Sequence, residues 1–255
     1  RNCCDAINVT DNQSSVMRIG SLGVCAKLVQ EGLEPIYQIT CRDRNRLAIQ
    51  SDILSSYILG IRNILALTGD HTSLGDHPQS KPVFDLDSVT LLMTIRTLMG
   101  GKDLSGEELE GTPEEIFPGA TVTPGADPVE PQLIKMEKKV EAGAKYFQTQ
   151  AVYDPKTFEK FMNEASKFNI PVLAGIVIVK SAGMAKFMNQ NVPGVFVPDH
   201  IINALTKAPK KKRARKSIEL MAELIKELKP MCQGIHIMAM GWEKYVPDLL
   251  DACEL

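Results

Sequence analysis

Along the chain, short apolar runs of strand length alternate with longer stretches whose apolar residues recur at helical spacing. The runs are CDAINVT (4–10), PIYQITC (35–41), Ile64 to Leu67, ATVTPG (120–125), KYFQTQ (145–150), PVLAGIVIV (171–179) and GIHIMAM (234–240). Between them the spacing predicts helices. The first is capped at Ser14 or Ser15 and runs through Met17, Leu22, Cys25 and Leu28 to Gly32; the second starts near Arg46 with Ile49, Ile53, Tyr57 and Ile58 on one face. Others are expected over 87–98, 130–143, 155–168 and 181–189, from Asp199, through Ile218, Met221, Ile225 and Leu228, and from Glu243. Residues 101–118 read as an acidic surface insert, and PGVFVP (193–198) as either a strand or an extended approach to a helix. With no hairpin between strands, the pattern predicts a parallel sheet wrapped in helices, as a barrel or as an open doubly wound sheet. Neither GxGxxG nor a P-loop occurs, which weighs against a dinucleotide-binding open sheet. A length of 255 residues suits one α/β barrel, so residues 1–255 are expected to form a single domain.

The stretch NILALTGDHTSLGD, Asn63 to Asp76, changes character abruptly at Gly69, where an apolar strand hands over to a polar tail. Glycine permits close backbone approach to a ligand immediately before the Asp70 carboxylate. A plain strand-to-loop turn capped by Asp70 is the simpler account of the same residues. Taken together, the predicted strand ends are Thr10 to Asn12, Gln38 to Cys41, Thr68 to His71, Thr123 to Asp127, Gln148 to Gln150, Lys180 to Ser181, and Gly241 to Trp242. They are rich in amides and hydroxyls and poor in charge. Such a lining suits a large heteroaromatic ligand whose ring edges need hydrogen bonds.

Composition narrows this little. A net charge of −2 gives no general attraction to nucleic acid or anionic membrane. No apolar run reaches membrane-spanning length. The six cysteines form no CxxC pair and show no zinc spacing, so they read as reduced, mostly buried thiols of a cytoplasmic protein, with Cys3 and Cys4 at a strand start and no metal site. PKKKRARK (209–216) reads as a solvated helix start, and Lys139 in KMEKKVEAG, on spacing alone, as a solvated helix face. Met184, Met188, Met221, Met238 and Met240 read as core filler.

GIRNILALTGD, the preceding PIYQITCRDRNR, GATVTPGADP and VEAGAKYFQTQAVYD, in this order, resemble the methylenetetrahydrofolate reductase family. The resemblance implies a (β/α)8 TIM barrel that reduces 5,10-methylenetetrahydrofolate to 5-methyltetrahydrofolate by ping-pong hydride transfer from a flavin, within one-carbon metabolism and methionine biosynthesis. By matched position it implies Asp70 as the catalytic carboxylate near folate and flavin, and Gln150 as the residue that holds the pterin. It implies Thr10, Gln38, Thr68, Gly69, Asp70, Phe84, Thr123, Asp127 and Lys139 as flavin contacts, with Lys139 toward the phosphate tail. Gln38, Thr68 and Asp127 replace the histidine, arginine and histidine of familiar bacterial members, so FMN stands beside FAD as the expected cofactor. The sequence looks closer to the branch of the family found in anaerobes. There electrons come from NAD(P)H or from an iron-sulfur or zinc-containing partner subunit, and a homo-oligomer is expected. The family also carries one βα unit, with the glutamate proposed as acid, ahead of the first strand here. On that count residues 193–198 are not a barrel strand. The alternatives weighed are a flavin-free folate-using methyltransferase barrel and a non-catalytic folate-binding subunit.

Overall fold

The computed structural model describes residues 4–253; Cys3 lies outside them. Seven strands occur among the described residues: β1 (Ile7–Val9), β2 (Pro35–Thr40), β3 (Asn63–Leu67), β4 (Phe117–Val122), β5 (Tyr146–Ala151), β6 (Val172–Val177) and β7 (Gly234–Met238). Nine α-helices occur among the same residues, one after each of β1 to β5, three between β6 and β7, and one after β7: α1 (Ser21–Gln30), α2 (Arg46–Ile58), α3 (Ser88–Met99), α4 (Glu130–Ala142), α5 (Pro155–Ala165), α6 (Ala182–Asn191), α7 (Asp199–Lys207), α8 (Arg213–Leu228) and α9 (Val246–Cys253). The chain divides into two compact units, Arg1–Thr121 with Lys138–Lys145, and Val122–Glu137 with Tyr146–Leu255.

In the first unit β1 to β4 lie side by side in chain order, every pair parallel. Ile64, Leu65 and Ala66 of β3 are buried, as expected of a strand covered on both faces. The edge strand β1 is only half-buried. Helices start where the side-chain chemistry allows it. Asn45 accepts from Ala48 N–H at the head of α2, and Asp87 with Thr90 closes a capping box on α3. In the second unit β5, β6 and β7 pair in parallel. Asp154 followed by Pro155 opens α5, and Ser181 caps α6. Ile218, Met221, Ile225 and Leu228 of α8 are all buried. Residues 193–198 form no strand; they turn at Pro193 and Gly194, which has φ +74, and then lead without regular structure into α7.

Several local expectations are corrected. Helix α1 begins at Ser21, because Asn12, Ser14 and Ser15 sit in the left-handed region and no helix can pass through them. Ile58 is 84% exposed, at the last turn of α2, where Ser56 takes the buried position instead. Strand β4 starts three residues before Ala120 and stops at Val122, so Thr123 lies just outside it. Met240 is 48% exposed, and Met184 and Met238 are half-buried, leaving Met188 and Met221 as the core methionines of the five. Among the described residues no helix is long and apolar enough to cross a membrane.

Candidate functional site

In the first unit the end of β3 is fitted against the end of β2. Gly69 has φ +93, and a Cβ there would come within 3.0 Å of Thr40 Cβ and 3.1 Å of Arg42 Cβ. Only glycine passes at that distance in that conformation. Thr68 Oγ1 accepts from Ser88 N–H, tying the strand end to the first turn of α3. Asp70 follows, exposed, and its carboxylate accepts no hydrogen bond among the described residues. His71 comes next, its Nδ1 accepting from Ser73 N–H at 3.2 Å, and its ring stacks on Phe84 with centroids 6.2 Å apart. Phe84 itself is held at φ +43 while its N–H donates to the Cys41 carbonyl and Val83 N–H donates to the Arg42 carbonyl. Thr68, Gly69, Asp70 and Phe84 are thus brought together.

Thr10 and Gln38 sit lower in the sheet. Val9 is level with Tyr37, and Gln38 with Leu65, three residues short of Thr68. At strand rise that is about 10 Å along the sheet. Gln38 Nε2 donates to Asn8 Oδ1 at 3.2 Å, so part of its amide is committed to β1.

Lys139 of α4 corrects the solvated-face expectation. It is 5% exposed, and its ammonium donates to the Thr121 carbonyl at 2.6 Å, at the end of β4. Helical spacing alone does not reveal this, because lysine spacing is the same on a buried and an exposed face.

The sequence reading missed the chemistry inside CRDRN. Asp11, fully buried at its carboxylate, accepts from Thr40 N–H at 2.9 Å, from Thr40 Oγ1 at 2.8 Å and from Arg44 Nη1 at 2.8 Å. Burial pushes this carboxyl up, but the Arg44 hydrogen bond and charge and the Thr40 bonds outweigh it, so its pKa is lowered. Arg44 also pairs with Asp52 at 2.7 Å. Arg42 is 2% exposed and grips Asp43 through Nε and Nη2. Those bonds to Asp43 do most to hold its guanidinium charged against the cost of burial, and the Asp70 charge adds to them. The signal available was alternating charge directly after a strand.

In the second unit the end of β5 is bulged. Gln148 is level with Leu173 but Ala151 with Gly175, so two residues, Thr149 and Gln150, oppose the single Ala174. Thr149 Oγ1 accepts from Gly175 N–H at 2.8 Å, and Ala151 N–H donates to Gln150 Oε1 at 3.1 Å. A Cβ on Gly175 would come within 2.3 Å of the Thr149 carbonyl, so the bulge depends on that glycine. Gln150 is half-buried at this irregularity, where a bulge re-aims a side chain. Two residues earlier, Gln148 is 2% exposed and its Nε2 has no hydrogen-bond partner among the described residues. Thr123 and the exposed Asp127 form the turn after β4, closed by Ala126 N–H to the Thr123 carbonyl at 3.2 Å. Residues 193–198 approach this turn at Gly194, where a Cβ would meet Thr123 Cγ2 at 2.3 Å. Among the described residues no group of three or more potential metal ligands occurs.

A family model described as methylenetetrahydrofolate reductase matches residues 1–254. Methylenetetrahydrofolate reductase 2 of Schizosaccharomyces pombe is 30% identical over 226 residues, covering 83% of this chain and 34% of its own length. A probable methylenetetrahydrofolate reductase (NADH) of Oryza sativa subsp. japonica is 28% identical over 229 residues, covering 83% of this chain and 36% of its own. The chain thus spans about a third of the length of these curated relatives. Among solved structures, a Clostridium thermocellum protein that binds two copies of 5-methyl-5,6,7,8-tetrahydrofolic acid aligns with TM-score 0.58 and 15% identity. The alignment covers 98% of this chain and 81% of that one, a likeness of fold.

Proposed function

The chain belongs to the methylenetetrahydrofolate reductase family, and we propose that it is the flavin- and folate-binding domain, residues 1–255, of an enzyme that reduces 5,10-methylenetetrahydrofolate to 5-methyltetrahydrofolate. The family match through residues 1–254 carries the reading, because it takes in the strand ends that hold Asp70 and Gln150. We take the seven strands as seven of the eight of a (β/α)8 TIM barrel.

The residues present fit a flavin. The buried Gln148 Nε2 is a donor without a partner among the described residues, and a ring carbonyl or ring nitrogen is the acceptor it lacks. When bound, the flavin would supply the hydride chemistry that folate reduction requires. Thr10, Gln38, Thr68, Gly69, Phe84, Thr123 and Asp127 are the contacts proposed for it, with Lys139 toward its phosphate tail. FAD is the cofactor we favour and FMN the alternative, since Thr68 offers no cation to a dinucleotide tail. NAD(P)H or a partner subunit would deliver electrons, and we expect a homo-oligomer in the cytoplasm.

Toward the folate, Gln150 holds the pterin edge with its amide. Asp70 then faces the positive charge that develops when the folate five-membered ring opens, and its free carboxylate stabilises that charge electrostatically.

The test is the visible spectrum of the purified full-length protein after flavin supplementation, with the extracted flavin identified by chromatography. No bound flavin would sink the reading. Asp70→Asn is expected to slow folate reduction on the order of 100-fold in rapid-mixing traces while flavin affinity changes little. Unchanged folate rates would remove Asp70 from the mechanism.

A further inference from the structure

The Arg42 guanidinium has no task in that reading, yet it lies beside the carboxylate that has the central one. Arg42 is 2% exposed, and a buried charge is costly unless something holds it. It follows β2 directly and packs against the end of β3. A Cβ on Gly69 would come within 3.1 Å of Arg42 Cβ, and Asp70 is the next residue. Backbone bonds fix the same junction: Cys41 N–H donates to the Thr68 carbonyl at 3.2 Å, and Val83 N–H to the Arg42 carbonyl at 2.8 Å.

Three carboxylates favour the Arg42 charge, those of Asp43, Asp11 and Asp70, and their states differ. Asp43 accepts from Nε at 2.9 Å and from Nη2 at 2.7 Å, the two-pronged grip that suits a guanidinium. Asp11 is taken up by Thr40 and Arg44. Asp70 is exposed and accepts no hydrogen bond among the described residues. A guanidinium carries five N–H donors, and the two on Arg42 Nη1 have no partner among the described residues. An open carboxylate and a guanidinium with donors to spare, at adjoining strand ends, attract each other. In the structure that pair is not formed, and Asp43 is the group that holds the fork elsewhere. Forming it would have a chemical cost. A carboxylate closed into an ion pair has less to give to a positive charge that develops on a substrate.

We propose that Asp43 is a positioning residue for folate reduction: by gripping the Arg42 guanidinium it keeps the Asp70 carboxylate unpaired and available to the cationic, ring-opened folate. The assignment rests on the role given to Asp70 above and deepens it. Asp43 acts through Arg42 and needs no contact with folate.

The experiment is a cycle of four full-length proteins: the native chain, Asp43→Asn, Asp70→Asn and the double variant, each checked for folding by circular dichroism. Two properties are followed, the kcat and KM of flavin-loaded protein for 5,10-methylenetetrahydrofolate, and the midpoint of urea unfolding. Asp43→Asn is expected to lower kcat about tenfold while KM stays within about twofold, and to add nothing once Asp70 is already asparagine. In unfolding, Asp70→Asn should leave the midpoint of the native chain nearly unchanged but lower that of the Asp43→Asn chain, where Asp70 has become the partner of Arg42. A second variant, Asp43→Glu, keeps a carboxylate for the guanidinium and should retain kcat within about threefold of native. Native kcat in Asp43→Asn, the same loss of kcat with and without Asp70, or a loss in Asp43→Glu as large as in Asp43→Asn would each overturn the assignment while leaving Asp70 in its role. Unchanged kcat in Asp70→Asn would remove that role, and the assignment with it.

Discussion

The ends of β1 and β2 in the first unit are filled with charge, and the end of β5 in the second with amides and backbone. After β1 and β2, the Asp11 carboxylate is saturated by Thr40 and Arg44, while Arg42 is clamped to Asp43. The buried Tyr37 hydroxyl is the exception, without a partner among the described residues. At the end of β5, by contrast, a bulge is held by a threonine hydroxyl and a glycine, and a buried glutamine amide is left unsatisfied. A buried ion pair contributes little net stability over an apolar filling, but breaking it is costly, so it fixes geometry. An unpaired amide does the reverse: it costs stability and reserves a donor. The difference teaches that the first unit fixes the strand ends packed beside Gly69, while the second leaves a buried donor unused at the end of β5.

The contrast breaks most sharply at Arg44. Arg44→Ala strands the Asp11 carboxylate in the interior and should cost about 3–5 kcal/mol in urea unfolding. A loss below about 1 kcal/mol would mean the cluster is not the rigid element argued for. Acid should sharpen the same point. The Asp11 pKa in the folded chain lies below its ordinary 3.8. Its contribution is therefore fully present above that value and is lost as pH falls through the lower folded pKa. Melting temperature against pH should fall more steeply below pH 3.8 for the native chain than for Asp11→Asn. Matching slopes would assign acid sensitivity to other carboxylates, such as Asp85, which its Arg46 bonds bring down to about 2. The smallest effect belongs to the second unit. Gln148→Leu removes an amide whose Nε2 has no partner among the described residues and should leave stability within about 1 kcal/mol of the native chain, in either direction. A much larger loss would place Gln148 among the fixed residues.

The alternation of strand and helix was legible because each element follows local periodicity. Ile64 to Ala66 and the Ile218, Met221, Ile225, Leu228 stripe are buried as their spacing implies. Asp70 was legible as a strand-end carboxylate and Gly69 as the residue that lets it sit there. What could not be read depends on contacts distant in sequence. Asp11 and Arg44 are 33 positions apart, and nothing in either segment announces the other. Lys139 is buried because the Thr121 carbonyl waits for it, and Ser14 and Ser15 look like caps but occupy the left-handed region. The bulge at Thr149 is invisible because KYFQTQ alternates like any strand until Gly175 is set beside it.

That bulge also matters as a count of residues. Between Gln148 and Ala151 strand β5 carries one residue more than its ladder with β6 accommodates. Removing Thr149 would restore strict pairing and set Gln150 alone opposite Ala174, with Ala151 still opposite Gly175 and the Thr149 hydroxyl that accepts from Gly175 N–H gone. The glutamine proposed to hold the pterin owes its place, in this sense, to an insertion. The length of β5 is as much a part of the candidate site as the identity of any side chain on it.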